Sequence, residues 1–213
     1  MSLADRGLLA QLLRSVPIVP VIVINRVADA VPLATALVAG GLHVLEVTLR
    51  TPEALTAIEQ IACEVPAAVV GAGSVIDPAQ FGAAGRAGAR FAVSPGATPE
   101  LAAAATTAQL PWLPGAQTVS EVLALRTRGY KLVKFFPAHA SGGLAFLRGI
   151  AGPVPDVHFC PTGGISALNA TEYLALPNVS CVGGSWLTPP ELLAAGKWDD
   201  IATLAREARG LRR

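Results

Sequence analysis

The chain has 213 residues, of which 52% are hydrophobic and 15% charged, so a large core can form and disorder is excluded as the dominant state. Net charge is +1 with no basic stripe, which argues against a nucleic-acid partner. The longest apolar runs, such as Val16 to Ile24, contain prolines and are too short to span a bilayer, and Met1 to Gln11 lacks a basic-then-apolar signal, so the expected location is cytoplasmic.

Residues 3–15 read as an N-terminal helix. Strands are predicted near 17–24, 43–49, 67–72, 90–94, 110–114, 131–136, 157–162 and 179–183. Helices are predicted near 27–39, 52–64, 77–87, 98–106, 118–128, 141–150, 166–175 and 199–210. Helix starts carry chemical signals: Thr51-Pro52-Glu53, Asp77-Pro78 and Thr98-Pro99-Glu100 each offer a cap and a first-turn proline, and Thr118 with Glu121 has capping-box spacing. Gly40-Gly41 and Gly129 suit helix exits.

Eight strand-helix units predict an α/β fold, a (β/α)8 TIM barrel with an additional N-terminal helix, as a single domain over 1–213. An open doubly wound sheet is the alternative, but the first strand ends Val23-Ile24-Asn25-Arg26, without the glycine fingerprint of that fold. Later strands end in small residues: Gly71-Ala72-Gly73-Ser74, Ser94-Pro95-Gly96, Pro114-Gly115, Pro137-Ala138, Thr162-Gly163-Gly164 and Gly183-Gly184-Ser185. In a barrel these ends share one rim, where barrel enzymes place their sites.

Lys134 stands inside the apolar strand Lys131-Leu132-Val133-Lys134-Phe135-Phe136, on the same face as Leu132 and Phe136. The chain's lysines are Lys131, Lys134 and Lys197, against many arginines, so a lysine kept here suggests that its amine is needed. Burial disfavours a charged amine and favours a nucleophile. The alternative is a strand-end lysine that snorkels to water.

The second strand, His43-Val44-Leu45-Glu46-Val47-Thr48-Leu49-Arg50, alternates almost strictly. In a closed barrel the helices cover the outside, so Leu45, Val47 and Leu49 should face them. Glu46, Thr48 and Arg50 should then point inward. A buried carboxylate needs a partner, and Lys134 and Arg50 are available. Such a pair is either part of the chemistry or a packing device, and buried pairs are a poor route to stability.

Thr162-Gly163-Gly164-Ile165-Ser166 and Gly183-Gly184-Ser185 follow strands seven and eight. Glycine lets backbone N–H groups approach an anion, each loop leads toward a helix start, and barrels often bind phosphate at these two loops. Tight turns alone are the other reading. Cys63, Cys160 and Cys181 lack metal spacing and read as reduced core residues, and the three histidines, His43, His139 and His158, are too scattered to suggest a metal site. His158 is expected far from the rim and His139 close to it. Trp112, Trp186 and Trp198 read as packing residues.

These residues resemble the class I 2-keto-3-deoxy-6-phosphogluconate (KDPG) aldolase family, which includes 4-hydroxy-2-oxoglutarate aldolase activity. The matching segments are Val19-Pro20-Val21-Ile22-Val23, Leu45-Glu46-Val47-Thr48-Leu49-Arg50, Gly71-Ala72-Gly73, Ser94-Pro95-Gly96, Lys134-Phe135-Phe136-Pro137-Ala138, Phe159-Cys160-Pro161-Thr162-Gly163-Gly164-Ile165 and Gly183-Gly184-Ser185-Trp186-Leu187, in order from about residue 16 to 210. The resemblance implies that Lys134 is the Schiff-base lysine and Glu46 the general acid/base. It implies substrate binding by Arg50, Ser74, Pro95, Thr162, Gly163, Gly164, Gly184 and Ser185, with no metal and no cofactor. Ser74 stands where the family usually has threonine, Gln117 where it has a small hydroxyl residue, and His139 where an acid is common. The implied substrate is a keto-acid phosphosugar, KDPG or its galactonate counterpart, with hydroxyoxoglutarate beside them. The implied assembly is a homotrimer. A phosphosugar isomerase or decarboxylase barrel without a covalent adduct, and a non-catalytic phosphosugar-binding module, are the competing functions.

Overall fold

The computed structural model describes residues 3–211. Its strands are β1 (Ile18–Ile22), β2 (Val44–Thr48), β3 (Val69–Gly73), β4 (Ala92–Val93), β5 (Trp112–Leu113), β6 (Gly115–Ala116), β7 (Leu132–Phe135), β8 (His158–Pro161) and β9 (Val182–Gly184). Its helices are α1 (Leu3–Arg14), α2 (Ala30–Ala39), α3 (Ala54–Glu64), α4 (Pro78–Arg86), α5 (Pro99–Thr107), α6 (Val119–Thr127), α7 (Gly143–Ala151), α8 (Ala170–Leu174), α9 (Pro190–Ala194) and α10 (Trp198–Arg209). Among the described residues no helix is long and apolar enough to cross a membrane.

Every strand pairing is parallel. The ladder runs in two arcs, β5-β4-β3-β2-β1-β9 and β6-β7-β8. The arcs curl into a TIM-barrel-like arrangement whose ladder is interrupted at two seams. At the first, β5 and β6 are halves of one predicted strand, parted at Pro114, whose missing N–H interrupts the ladder. The Pro114 carbonyl still accepts from Lys134 N at 2.8 Å. At the second, isolated parallel bridges, Phe159 with Val179 and Thr162 with Gly183, tie β8 to β9.

Strand alternation divides the core in two. Leu45, Val47, Val133, Phe135 and Phe159 face outward into the layer between strands and helices. Val19, Val44, Phe91, Val93, Leu113, Leu132, Cys160 and Cys181 fill the lower part of the barrel, and Leu9 and Leu13 of α1 pack against them. The N-terminal helix thus stoppers the end of the barrel at which the strands begin.

Local signals held where the chain needed nothing from afar. Asp77 with Gln80 and Thr118 with Glu121 form capping boxes, and Thr98 accepts from Leu101 N. Thr51 does not cap α3: its hydroxyl donates to Ile24 O at 2.6 Å, and α3 begins at Ala54 without a side-chain cap. The predicted helix 166–175 shortens to α8, residues 27–39 open with a 3-10 turn over Val27–Asp29, and α9 follows Pro189 where no helix was predicted. Cys160 and Cys181 are buried, but Cys63 is exposed on α3 and is not a core residue; none of the three is in a disulfide among the described residues.

Candidate active site

The inward positions of β2 and β7 meet across the barrel. Lys134 is 5% and Glu46 3% exposed, and Lys134 Nζ donates to Glu46 Oε1 at 3.0 Å. β2 and β7 are not neighbours in either arc, so the pair spans the interior instead of lying along one ladder. Apolar side chains fill the barrel below it. The Phe136 ring lies beside it, with its centroid 5.5 Å from Nζ, where the ring face attracts a cation. The inward face predicted for β2 is confirmed at Glu46, while Thr48 has a different task. It is fully buried and its hydroxyl donates to Ile22 O at 2.9 Å, tying β2 to β1.

Beyond the strand end, Arg50 Nε donates to Ser74 Oγ at 3.1 Å. The β2–β3 register, Glu46 opposite Gly71 and Thr48 opposite Gly73, carries these two residues out to the rim side by side. Ser74 has φ 56°, a left-handed backbone rare for a residue other than glycine. Such strain persists only where surrounding contacts over-determine it, and here it aims the hydroxyl at the arginine.

Thr162 is buried and bridged to Gly183, so the two glycine-rich loops lie next to each other as predicted. Gly163 and Gly164 both have positive φ, 96° and 73°, the conformation that only glycine adopts freely. The loop is anchored by Ala138 N donating to Thr162 O at 2.8 Å and His139 N donating to Gly163 O at 3.0 Å. His139 therefore reaches the rim, with its side chain packed against Gly164. Gly184 is buried beneath the Trp186 ring, and Ser185 is exposed beyond it. Neither loop abuts a helix start: α8 begins at Ala170 and α9 at Pro190, and each has five residues. Backbone N–H groups and hydroxyls, not a helix end, are what these loops offer an anion.

Pro95 is half-buried, and its carbonyl occupies the space where a Cβ on Gly115 would stand. Its loop is held by an unpredicted triangle: Trp112 Nε1 donates to Ser94 Oγ at 2.9 Å, and Ser94 Oγ donates to Gly96 O at 2.5 Å. Trp112 is therefore more than a packing residue. Asn169 was also missed. Its Nδ2 donates to Gly164 O at 3.1 Å while its Oδ1 accepts from Ser166 N at 2.9 Å. The visible signal was an asparagine three residues after Ser166, a spacing at which the side chain closes a turn.

The family model for KDPG and KHG aldolase matches residues 9–204. The chain is 56% identical over 192 residues, 90% of each chain, to a KHG/KDPG aldolase of Escherichia coli strain K12. It is 54% identical over 198 residues, 93% of each chain, to a 2-dehydro-3-deoxy-phosphogluconate aldolase of Dickeya dadantii. A solved KDPG aldolase from Legionella pneumophila, with pyruvate captured at low pH as a covalent carbinolamine intermediate, superposes with a TM-score of 0.91 at 49% identity, covering 94% of this chain and 97% of that one. The KDPG aldolase of Zymomonas mobilis ZM4 with 3-phosphoglycerate superposes with a TM-score of 0.91 at 44% identity, covering 100% and 98%. The chain belongs to the KDPG and KHG aldolase family, and it is an aldolase, a carbon–carbon lyase.

Proposed function

We propose that the protein is a Schiff-base aldolase that cleaves KDPG to pyruvate and glyceraldehyde 3-phosphate, and 4-hydroxy-2-oxoglutarate to pyruvate and glyoxylate. The observation that carries this reading is the buried 3.0 Å contact between Lys134 and Glu46, facing the rim from inside the barrel. An amine and a proton acceptor held at that distance exchange a proton without rearrangement.

Lys134 gives a proton to Glu46 and attacks the C2 ketone through its lone pair. The new N–C2 bond forms as the C=O π bond opens, and the proton lost by the attacking nitrogen passes to the carbonyl oxygen, giving a carbinolamine. Glu46 protonates the departing hydroxyl, water leaves, and an iminium ion remains. Loss of the C4 hydroxyl proton to Glu46, through a water, breaks the C3–C4 bond. The electron pair of that bond moves to C3 and into the iminium, leaving an enamine and releasing the aldehyde. Glu46 returns the proton to C3, and hydrolysis of the C2–N bond frees pyruvate and the amine. Arg50 and Ser74, with Thr162, meet the carboxylate, for which the guanidinium is a planar double donor. Gly163, Gly164, Gly184 and Ser185 meet the distal phosphate, and Pro95 lines the mouth between. The carbinolamine seen in the Legionella relative supports the first covalent step assigned to this lysine.

Incubation with pyruvate and borohydride should add mass to the peptide bearing Lys134, and Lys134→Met should abolish both the adduct and cleavage. Cleavage by a protein that cannot be trapped would overturn the covalent route and favour acid–base chemistry alone. The resemblance also implies a homotrimer, which light scattering measures. A cytoplasmic location follows the same resemblance.

A further inference from the structure

A second cavity, of about 430 Å³, lies at the opposite end of the barrel from Lys134, where β1, β2 and β9 begin. Its lining includes Arg14, Ser15, Gly41, His43, Leu174 and Arg209. Arg14 comes from the last turn of α1 and Arg209 from the last turn of α10, while His43 immediately precedes β2. Three separate elements thus deliver two guanidinium groups and an imidazole to one hollow, and among the described residues no carboxylate lines it.

Arg26 pairs with Asp29, Arg126 and Lys131 pair with Asp156, and Lys197 pairs with Asp200. Among the described residues neither Arg14 nor Arg209 has a carboxylate partner. A place at a helix C-terminus accounts for one cation at each helix end. It does not account for both sharing a concave site with a histidine and no anion. The site is also shaped for Arg209. Gly41 has φ 89°, and a Cβ there would collide with the Arg209 side chain, its Nε and Nη1 included. The glycine that ends α2 therefore lets the arginine lie flat across the turn and holds its head at the hollow. Planar guanidinium groups bind oxyanions through paired N–H donors, and an imidazole adds a further donor.

We propose that this cavity binds a small polyanion, a molecule presenting at least two negative charges on phosphate or carboxylate oxygens, at a site separate from the catalytic rim. Three residue steps separate His43 from Glu46, roughly 10 Å at the strand's rise per residue, so the ligand would touch neither Lys134 nor Glu46. The inference does not depend on the substrate assigned to the rim.

The test is calorimetric titration of the full chain with two probes, pyrophosphate and citrate. The parent protein is compared with Arg14→Gln/Arg209→Gln and with Arg206→Gln, which removes a charge from the same helix without lining the cavity. Borohydride trapping with pyruvate and the thermal midpoint verify that each variant is folded and retains its rim chemistry. The expected result is a binding event, for one or both probes, that weakens about a hundredfold in the double variant and is unchanged in Arg206→Gln. Loss with pyrophosphate alone identifies phosphate as the preferred chemistry, and loss with citrate alone identifies carboxylate. Equal binding by the parent and the double variant, equal weakening in Arg206→Gln, or no binding event beyond one at the rim overturns the proposal.

Discussion

The carboxylate of Glu46 occupies the space in which a Cβ on Gly73 would stand. β3 therefore carries glycine at this position so that the acid of β2 can lie against its backbone. Gly73→Ala should push Glu46 aside while leaving Lys134 in place. A displacement of that kind costs up to about a hundredfold in kcat, because proton transfer depends steeply on position. Steady-state kinetics should show the loss in kcat with little change in KM, and borohydride should still trap pyruvate on Lys134 at a reduced rate.

Lys134 and Glu46 are each more than nine-tenths buried, so either one left alone is an unpaired charge in an apolar interior. Lys134→Met should abolish turnover and lower stability by about 3–5 kcal/mol in urea unfolding. The double change Lys134→Met/Glu46→Gln should recover most of that stability while remaining inactive. A single variant as stable as the parent would mean that the pair is not buried as described.

Ser74 joins a strained backbone to a hydroxyl that accepts from Arg50. Ser74→Gly relieves the positive φ and should raise stability by about 1 kcal/mol. It also removes the hydroxyl that meets Arg50, so KM for the keto acid should rise roughly five- to tenfold. Ser74→Ala loses the same hydroxyl but keeps the strain, so it should show the KM effect without the gain in thermal midpoint.

Hydrogen bonds from Arg126, at 2.8 Å, and from Lys131 hold the Asp156 carboxyl well below the usual carboxylate range. A depressed folded-state value means that the unfolded chain binds the proton more readily. The contribution to stability is then fully present above the ordinary aspartate pKa, about 4, and is lost as pH falls below it. Asp156→Asn should lower stability at pH 7, and the gap to the parent should close progressively in urea unfolding between about pH 4 and more acid conditions.

The barrel-like curl was legible because its strands carry their periodicity locally: Glu46 and Thr48 alternate with Leu45 and Val47, and Glu46 faces the interior while Leu45 and Val47 face the helices. The Lys134–Glu46 contact was legible only through that curl, since 88 residues separate the two and nothing local brings them together. What was not legible depended on partners far along the chain. Thr51 carries every mark of a helix cap, yet Ile24 O offers its hydroxyl a partner inside the fold. Thr48 shares its strand face with Glu46, but the carbonyl of Ile22 takes its hydroxyl out of any reaction. Cys63 reads as apolar in sequence, and only the packing of α3 decides that it faces water. The length of α8 and the existence of α9 escaped because residues after Gly164 and Ser185 are first spent on loops, where Asn169 is one of the fastenings.

Because Leu9 and Leu13 seal the far end with hydrocarbon, the reaction chamber is a blind well with a single mouth. Substrate, departing aldehyde and the waters of dehydration and hydrolysis must all pass the same opening in turn. On the proposed covalent route the order of release would follow from the architecture: the aldehyde clears the rim before water attacks C2 of the reprotonated iminium and pyruvate follows.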